Sequence, residues 1–217
     1  MAVSNTPEAI LREGLAALSL TLDERELALL LQFLDLLRQW NKAYNLTAVT
    51  DIEDMVRLHL LDSLAIAPFL DGERFIDVGT GPGLPGIPLA IALPHCHFTL
   101  LDSNGKRVRF LFQAKVALGL ANIAEVHGRA ETFQAESPYA GVISRAFSSL
   151  GDMVSKTAHM VGDEGVFYAM KGRYPEKELR ELEKPYKVVA SHRLHIPGVE
   201  GERHLIEIGK SPNTGTG

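Results

Sequence analysis

In the stretch FIDVGTGPGLPGIPLAI, Phe75 to Ile91, one acidic residue and three glycines alternate with other residues: Asp77, Gly79, Gly81 and Gly83. They stand where a short apolar run gives way to a helix-like one. A strand that enters a glycine turn and leaves as a helix is a receiving site for a nucleotide or nucleoside. A dinucleotide would lay its pyrophosphate on the free N–H groups of the helix start, and Gly81, Gly83 and Gly86 satisfy the G-x-G-x-x-G spacing of such sites. Two details weigh against that ligand. Pro82, Pro85 and Pro88 each lack an N–H. Asp77 sets a carboxylate just before the turn, where it repels phosphate and accepts from a cationic group. A sulfonium ligand carrying an ammonium group suits these residues better; for the glycines alone, a tight turn without any ligand is the competing explanation.

The frame Asp77, Gly79, Gly81, Gly83 resembles the D-x-G-x-G-x-G motif of the S-adenosylmethionine-dependent methyltransferases. Asp102 closes the next apolar run, FTLLDS, about twenty residues past the turn, where a carboxylate takes both ribose hydroxyls. Dinucleotide enzymes share that role, so Asp102 marks a nucleoside without separating the two classes. By the same resemblance Arg129, Ala130 and Glu131 in EVHGRAETF border the adenine, and Arg145 in VISRAFSSL faces the cleft.

These residues need a scaffold that brings strand ends together. From Arg74 onward short β-rich apolar runs alternate with helical ones, which predicts a parallel sheet covered by helices. Strands are expected near 74–79, 97–102, 123–128, 141–145 and 165–171, with helices near 86–93, 105–119, 129–135 and 149–161. KVVASHRLHI and RHLIEIGK, joined by PGVEGE, read as an antiparallel hairpin closing the sheet. All the candidate residues then lie at carboxyl ends of parallel strands, where open α/β sheets bind ligands.

The first seventy residues read as helices. Thr6 and Pro7 open one; Asp23 and Glu26 have capping-box spacing before a stripe of Leu27, Leu30, Leu31, Leu34 and Leu37; Thr50 and Glu53 repeat the box before a third segment. The expected organisation is a helical region over 1–70, a ligand-binding α/β domain over 71–210, and a frayed tail over 211–217.

Composition sets further bounds. The net charge of −5 looks wrong for a nucleic-acid partner, but the acidic excess lies wholly before Asp71, leaving the remainder free to carry a basic face. The lone Cys96 excludes an internal disulfide, and His95 and His97 beside it lack further ligands, so no metal site is expected. No window reaches a membrane-span length and the start has no secretion-signal layout, so a cytoplasmic protein is expected.

The acceptor is approached by what is missing. Amino methylation of bases goes with a [DNS]-P-P-[YFW] loop after the fourth strand, where this chain has Ser144, Arg145, Ala146 and Phe147. Methylation of a pyrimidine C5 needs a cysteine nucleophile, and Cys96 precedes the second strand, at the wrong edge. Acceptors that are already nucleophilic remain, guanine N7 among them.

WNKAYNLTAVTD, RLHLLDSL, the glycine segment, LLDSNGKRVRFL, GRAE, ISRAF, MKG and ERHLIEIGK together resemble the bacterial ribosomal RNA small-subunit methyltransferase G family, also called glucose-inhibited division protein B. The resemblance runs along nearly the whole chain. It implies a Rossmann-like class I methyltransferase fold with a mostly parallel seven-stranded sheet, S-adenosyl-L-methionine as cofactor, and methylation of N7 of a single guanine in the 530-loop region of 16S rRNA. It carries over Gly79, Leu84, Ala130, Glu131 and Arg145 as cofactor contacts and Asp102 as ribose partner. Lys106, Arg129, Arg145, Lys171 and Arg203, with Arg107, Arg109 and His204 nearby, are candidates for a basic rim that meets RNA phosphates, and Arg145 and Lys171 for positioning the guanine. Arg57, His59 and Asp62 share a helical face and are expected to brace the junction with the cleft. The partner implied is 16S rRNA or the small ribosomal subunit, with no membrane or DNA and a monomeric enzyme. Three rivals stay open: a small-molecule methyltransferase with a helical lid, a dinucleotide-dependent oxidoreductase, and a non-catalytic ribosome-assembly factor.

Overall fold

The structure, a computed structural model, describes Thr6 to Ser211. The tail expected beyond Ser211 lies outside the described residues.

Local signals account for the helical region. Thr6 accepts from Ala9 N and Pro7 stands in the first turn of α1 (Pro7–Ala17), which buries Ile10, Leu11, Gly14 and Leu15. Asp23 and Glu26 form the full capping box of α2 (Glu24–Tyr44). Its buried stripe is Leu27, Leu30, Phe33, Leu34 and Leu37; Leu31 is only half-buried, because Phe33 takes the face toward Phe110. Each fully buried side chain of this kind contributes about 1.5–3 kcal/mol relative to exposure. Asn45, in the left-handed region at φ 50°, ends the helix.

The third segment departs from expectation at its start. Asp51 rather than Thr50 caps α3 (Ile52–Met55), accepting from Glu53 N and Asp54 N. The chain then widens into a π-helical segment, Val56–Leu61, before resuming as α4 (Asp62–Leu64) and a short 3-10 turn at Ala67–Phe69. Among the described residues no helix is long and apolar enough to cross a membrane.

The sheet has seven strands: β1 (Arg74–Val78), β2 (His97–Asp102), β3 (Ile123–His127), β4 (Tyr139–Ser144), β5 (Val161–Lys171), β6 (Tyr186–Leu194) and β7 (Arg203–Lys210). Their spatial order is β3-β2-β1-β4-β5-β7-β6. The first five are parallel; β7 runs antiparallel to both neighbours and slips between β5 and β6. Crossovers are made by α5 (Gly86–Ala92), α6 (Gly105–Leu118) and α7 (Leu150–Thr157), while α8 (Glu176–Arg180), unsignalled in the sequence, follows β5. The helix expected near 129–135 is a single 3-10 turn, Ala130–Thr132, squeezed between β3 and the return to β4.

One sheet face carries α5 and α6, and α2 packs on both, with Trp40 and Phe33 against Phe110. This core is continuous from Leu11 in α1 to Leu205 in β7. The other face is covered by α7, through Leu150, Met153 and Val154. The carboxyl ends of β1, β2, β4 and β5 are thereby left uncovered at one edge.

Candidate active site

The glycine turn is self-contained. Gly79, Gly81 and Gly83 have φ of 70°, 61° and 87°, in the left-handed region that favours glycine. Every N–H from Gly79 to Leu89 that exists is already engaged. Gly79 and Thr80 donate to Leu101 O, Gly83 and Leu84 to Thr80 O, Ile87 to Gly83 O and Leu89 to Pro85 O. Gly81 donates to Asp102 Oδ2 at 2.8 Å and Gly86 to Asp77 Oδ2 at 2.9 Å. No donor is left for a pyrophosphate, so the objection raised by the three prolines is extended by the fold to the whole turn.

Asp77 does not sit where the sequence placed it. Its side chain is fully buried and turned inward, with Oδ2 accepting from Thr80 Oγ1 at 2.6 Å as well as from Gly86 N. It braces the turn and lines neither of the two cavities at the strand ends. Burial pushes its carboxyl up to about 6, against the hydrogen bonds from Thr80 and Gly86. His59 is shifted the other way, to about 4, again by burial.

The signs of these two shifts oppose each other. A carboxyl with a raised folded value loses stability as pH rises from about 4 through about 6; a histidine with a lowered one loses stability as pH falls from about 6.5 toward about 4. Asp77→Asn keeps an acceptor for Thr80 and Gly86 and removes only the first effect. The stability of D77N relative to wild type is therefore expected to increase by about 1.4 kcal/mol per pH unit between pH 4 and 6. Urea unfolding across that range checks it, and parallel profiles for the two proteins would refute it.

Beside the turn lies a cavity of about 350 Å³. Val78 and Gly79 from the end of β1, Leu101, Asp102 and Ser103 from β2, Gly128 to Glu131 after β3, and Ala146 and Phe147 after β4 line it. Asp102 is 3% exposed; Oδ2 accepts from Gly81 N and Oδ1 from Asn104 N at 2.8 Å, and Arg107 approaches Oδ2 at 3.4 Å. Oδ1 thus keeps one acceptor site, while Oδ2 is shared between Gly81 N and the longer Arg107 contact. A Cβ at Gly79 would lie 2.7 Å from the Cβ of Ala146, narrowing the cavity at its waist. A carboxylate with an open acceptor site, a glycine floor and a turn with no free N–H group fit the nucleoside of S-adenosylmethionine. Of the expected cofactor residues, Gly79, Asp102, Ala130 and Glu131 meet here, and Arg129 joins them. Gly81, Gly83, Leu84 and Asp77 stand behind the wall as its scaffold. Ala146 and Phe147 carried no signal in the sequence beyond following Arg145.

Arg145 belongs to a second cavity, of about 280 Å³, at the ends of β4, β5 and β7 and against the π-helical segment. Its Nη1 donates to Asp62 Oδ2 at 2.9 Å, and Arg203 Nε lies 3.3 Å from Asp62 Oδ1. Burial raises the Asp62 carboxyl above its usual range, opposed by both arginines. His59, its Nε2 2.9 Å from Thr47 Oγ1, and His204 complete the buried polar wall. Lys171 also lines this cavity, but its Nζ donates to Glu178 Oε2 at 2.8 Å and reaches Phe147 O and Ser148 O. The expected basic rim is therefore divided. Arg145 and Arg203 share the single carboxylate of Asp62 and Lys171 pairs with Glu178, while Arg129 and Lys106 are exposed, and Lys106 lines neither cavity. Of the bracing trio, His59 and Asp62 brace the junction; Arg57 pairs with Glu53 instead.

Strand order separates the two nucleoside-binding classes that the glycine spacing left together. Dinucleotide folds run 3-2-1-4-5-6, all parallel; here a reversed last strand is inserted beside β5, which defines the class I S-adenosylmethionine-dependent methyltransferases. TrmN from Thermus thermophilus shares this fold at a TM-score of 0.56 and 19% identity, over 80% of this chain and 53% of that one. TYW2 of M. jannaschii, solved in complex with AdoMet, shares it at 0.55 and 16%, over 69% and 75%. A family model for rRNA small subunit methyltransferase G matches residues 26–206. The enzyme of that name from Saccharophagus degradans is 58% identical over 198 residues, 91% of this chain and 89% of the relative. Its counterpart from Escherichia fergusonii is 56% identical over 179 residues, 82% and 86% of the two chains. The chain belongs to the rRNA small subunit methyltransferase G family.

Proposed function

We propose that this protein transfers a methyl group from S-adenosyl-L-methionine to N7 of a single guanine in the 530-loop region of 16S rRNA. The observation that carries this reading is the family membership, which spans the helical region and the sheet alike. The geometry agrees with it through two adjoining cavities, one fitted to a nucleoside without phosphates and one polar. α1 and α2 line neither cavity, which weighs against a helical lid over a small-molecule site.

When bound, the cofactor supplies an electrophilic methyl group. The chain's own residues bind and orient: Asp102 holds the ribose, Ala130 and Glu131 border the adenine, Gly79 and the backbone at Leu84 shape the turn, and Asp77 locks that turn from behind. Guanine N7 presents a free lone pair and loses no proton, so no general base is required and alignment supplies the rate. Arg129 and Lys106 are exposed for RNA phosphates; Arg145, Lys171 and Arg203 contribute to the rim through their paired, partly shielded charges. The enzyme acts as a cytoplasmic monomer on the small-subunit rRNA.

Incubating the protein with methyl-labelled cofactor and either small ribosomal subunits or naked 16S rRNA tests the reading. Label should map to one guanine in the 530-loop region and render it cleavable as a 7-methylguanine. Label on another ring atom, or none on RNA, would overturn it.

A further inference from the structure

The wall between the two cavities is one short loop, Arg145 to Ser149, joining β4 to α7. Arg145 lines the polar cavity, and Ala146 and Phe147 line the nucleoside cavity. The loop runs tight against the glycine turn, since a Cβ at Gly79 would stand 2.7 Å from that of Ala146. Any shift of this loop therefore reshapes the nucleoside cavity at its waist. Polar contacts fix it at both ends. Ala146 N donates to Ser144 Oγ at 3.0 Å, and Leu150 N, at the start of α7, donates to Glu178 Oε2 at 2.8 Å. The same oxygen accepts from Lys171 Nζ at 2.8 Å, while Nζ reaches Phe147 O at 3.4 Å and Ser148 O at 3.5 Å. An ammonium has three N–H donors, and these three acceptors account for all of them. Glu178 lines neither cavity, and its own helix is seated by Leu179 on the apolar cluster that holds α7.

We infer that Glu178 is a positioning residue for cofactor binding, which pins the loop between the cavities through Leu150 N and keeps Lys171 engaged on the loop's carbonyls. The pair is well shielded, with side chains 24% and 13% exposed, so water competes weakly for either contact. Two consequences run in opposite directions. Without the carboxylate the loop spends part of its time away from the cofactor-binding geometry, and the apparent affinity for S-adenosylmethionine falls by that fraction. Lys171, released in the wall of the polar cavity, then offers RNA a charge that the native pair withholds.

The test compares Glu178→Ala and Glu178→Gln with wild type at a temperature where circular dichroism shows all three folded. Equilibrium dialysis with labelled S-adenosylmethionine should show a Kd raised about tenfold in E178A and restored to within about threefold of wild type in E178Q, whose amide oxygen still accepts from Leu150 N. The KM for small ribosomal subunits should not rise in either variant, and its salt dependence should steepen by up to about one unit of slope. A cofactor Kd in E178A equal to that of wild type overturns the inference. So does a subunit KM that rises in step with the cofactor Kd, which is the mark of a merely structural role. Should E178A fail to fold, Glu178→Asp takes its place: it keeps the charge but falls short of Leu150 N, and a wild-type cofactor Kd in E178D overturns the inference equally. The inference rests on the cofactor reading above, which wild type tests by itself: a wild-type protein that binds no S-adenosylmethionine overturns both.

Discussion

Asp102→Ala is expected to weaken binding of S-adenosylmethionine by about a hundredfold or more, with transfer lost in proportion. Two effects combine. The substitution removes the carboxylate that lines the nucleoside cavity, and a single hydrogen bond from a ribose hydroxyl to a charged acceptor contributes about 1.5–3 kcal/mol, roughly tenfold to more than a hundredfold in affinity. It also strands the N–H groups of Gly81 and Asn104, both donors to this side chain, and so loosens the glycine turn itself. Arg107→Ala leaves the carboxylate and its backbone donors in place. It removes only a 3.4 Å ion pair with a half-exposed partner and is expected to change affinity by less than about tenfold. Equilibrium dialysis against labelled cofactor measures both, and an Asp102→Ala protein that binds as tightly as wild type would remove Asp102 from the site.

The largest stability loss is expected at Gly86, where α5 meets the sheet. A Cβ there would overlap Leu100 Cδ2, which is fully buried, and stand 2.9 Å from the Asp77 oxygen that holds the turn. Neither neighbour has room to retreat. Gly86→Val should therefore cost about 2–3 kcal/mol by overpacking, lowering the melting temperature by roughly 5–10 °C for a chain of this size. Gly81→Ala offers the contrast: nothing lies within 4 Å of its Cβ position, so only the left-handed φ of 61° penalises it, by about 1–2 kcal/mol. Thermal unfolding of the two variants side by side resolves overlap from backbone strain; a G86V protein no less stable than G81A would contradict the packing described.

The features that sequence reading recovered are the local ones. Asp23 with Glu26, the strand-glycine-helix junction at Gly79 to Gly83, Asp102 at the next strand end, and the closing hairpin each depend on residues a few positions apart, and each stands in the structure. The features that escaped it depend on partners and side-chain directions that no local motif encodes. Arg145 and Lys171 looked like free cations because Asp62, far upstream, and Glu178, on a helix without an apolar stripe, gave no sign of pairing with them. Asp77 looked ligand-facing because its spacing to the glycines says nothing about which way its carboxylate turns. Only the fold shows Thr80 and Gly86 drawing it inward. Thr50 and Asp51 compete for one cap, and a single position decides between them on geometry that adjacent residues cannot reveal.

The widened segment Val56–Leu61, where Asp62 N reaches back to Arg57 O, holds one residue more than an ordinary turn would. At its start Met55 and Val56 are buried in the core and at its end Leu60 and Leu61 are too, while Asp62 keeps its place between two arginines. Removing that surplus residue would restore an ordinary turn and leave the two flanks facing nearly as before. The extra residue is thus absorbed where it occurs: the leucines at the end of the segment stay in the interior and the carboxylate stays between its arginines, although the residue count departs from the regular helical repeat.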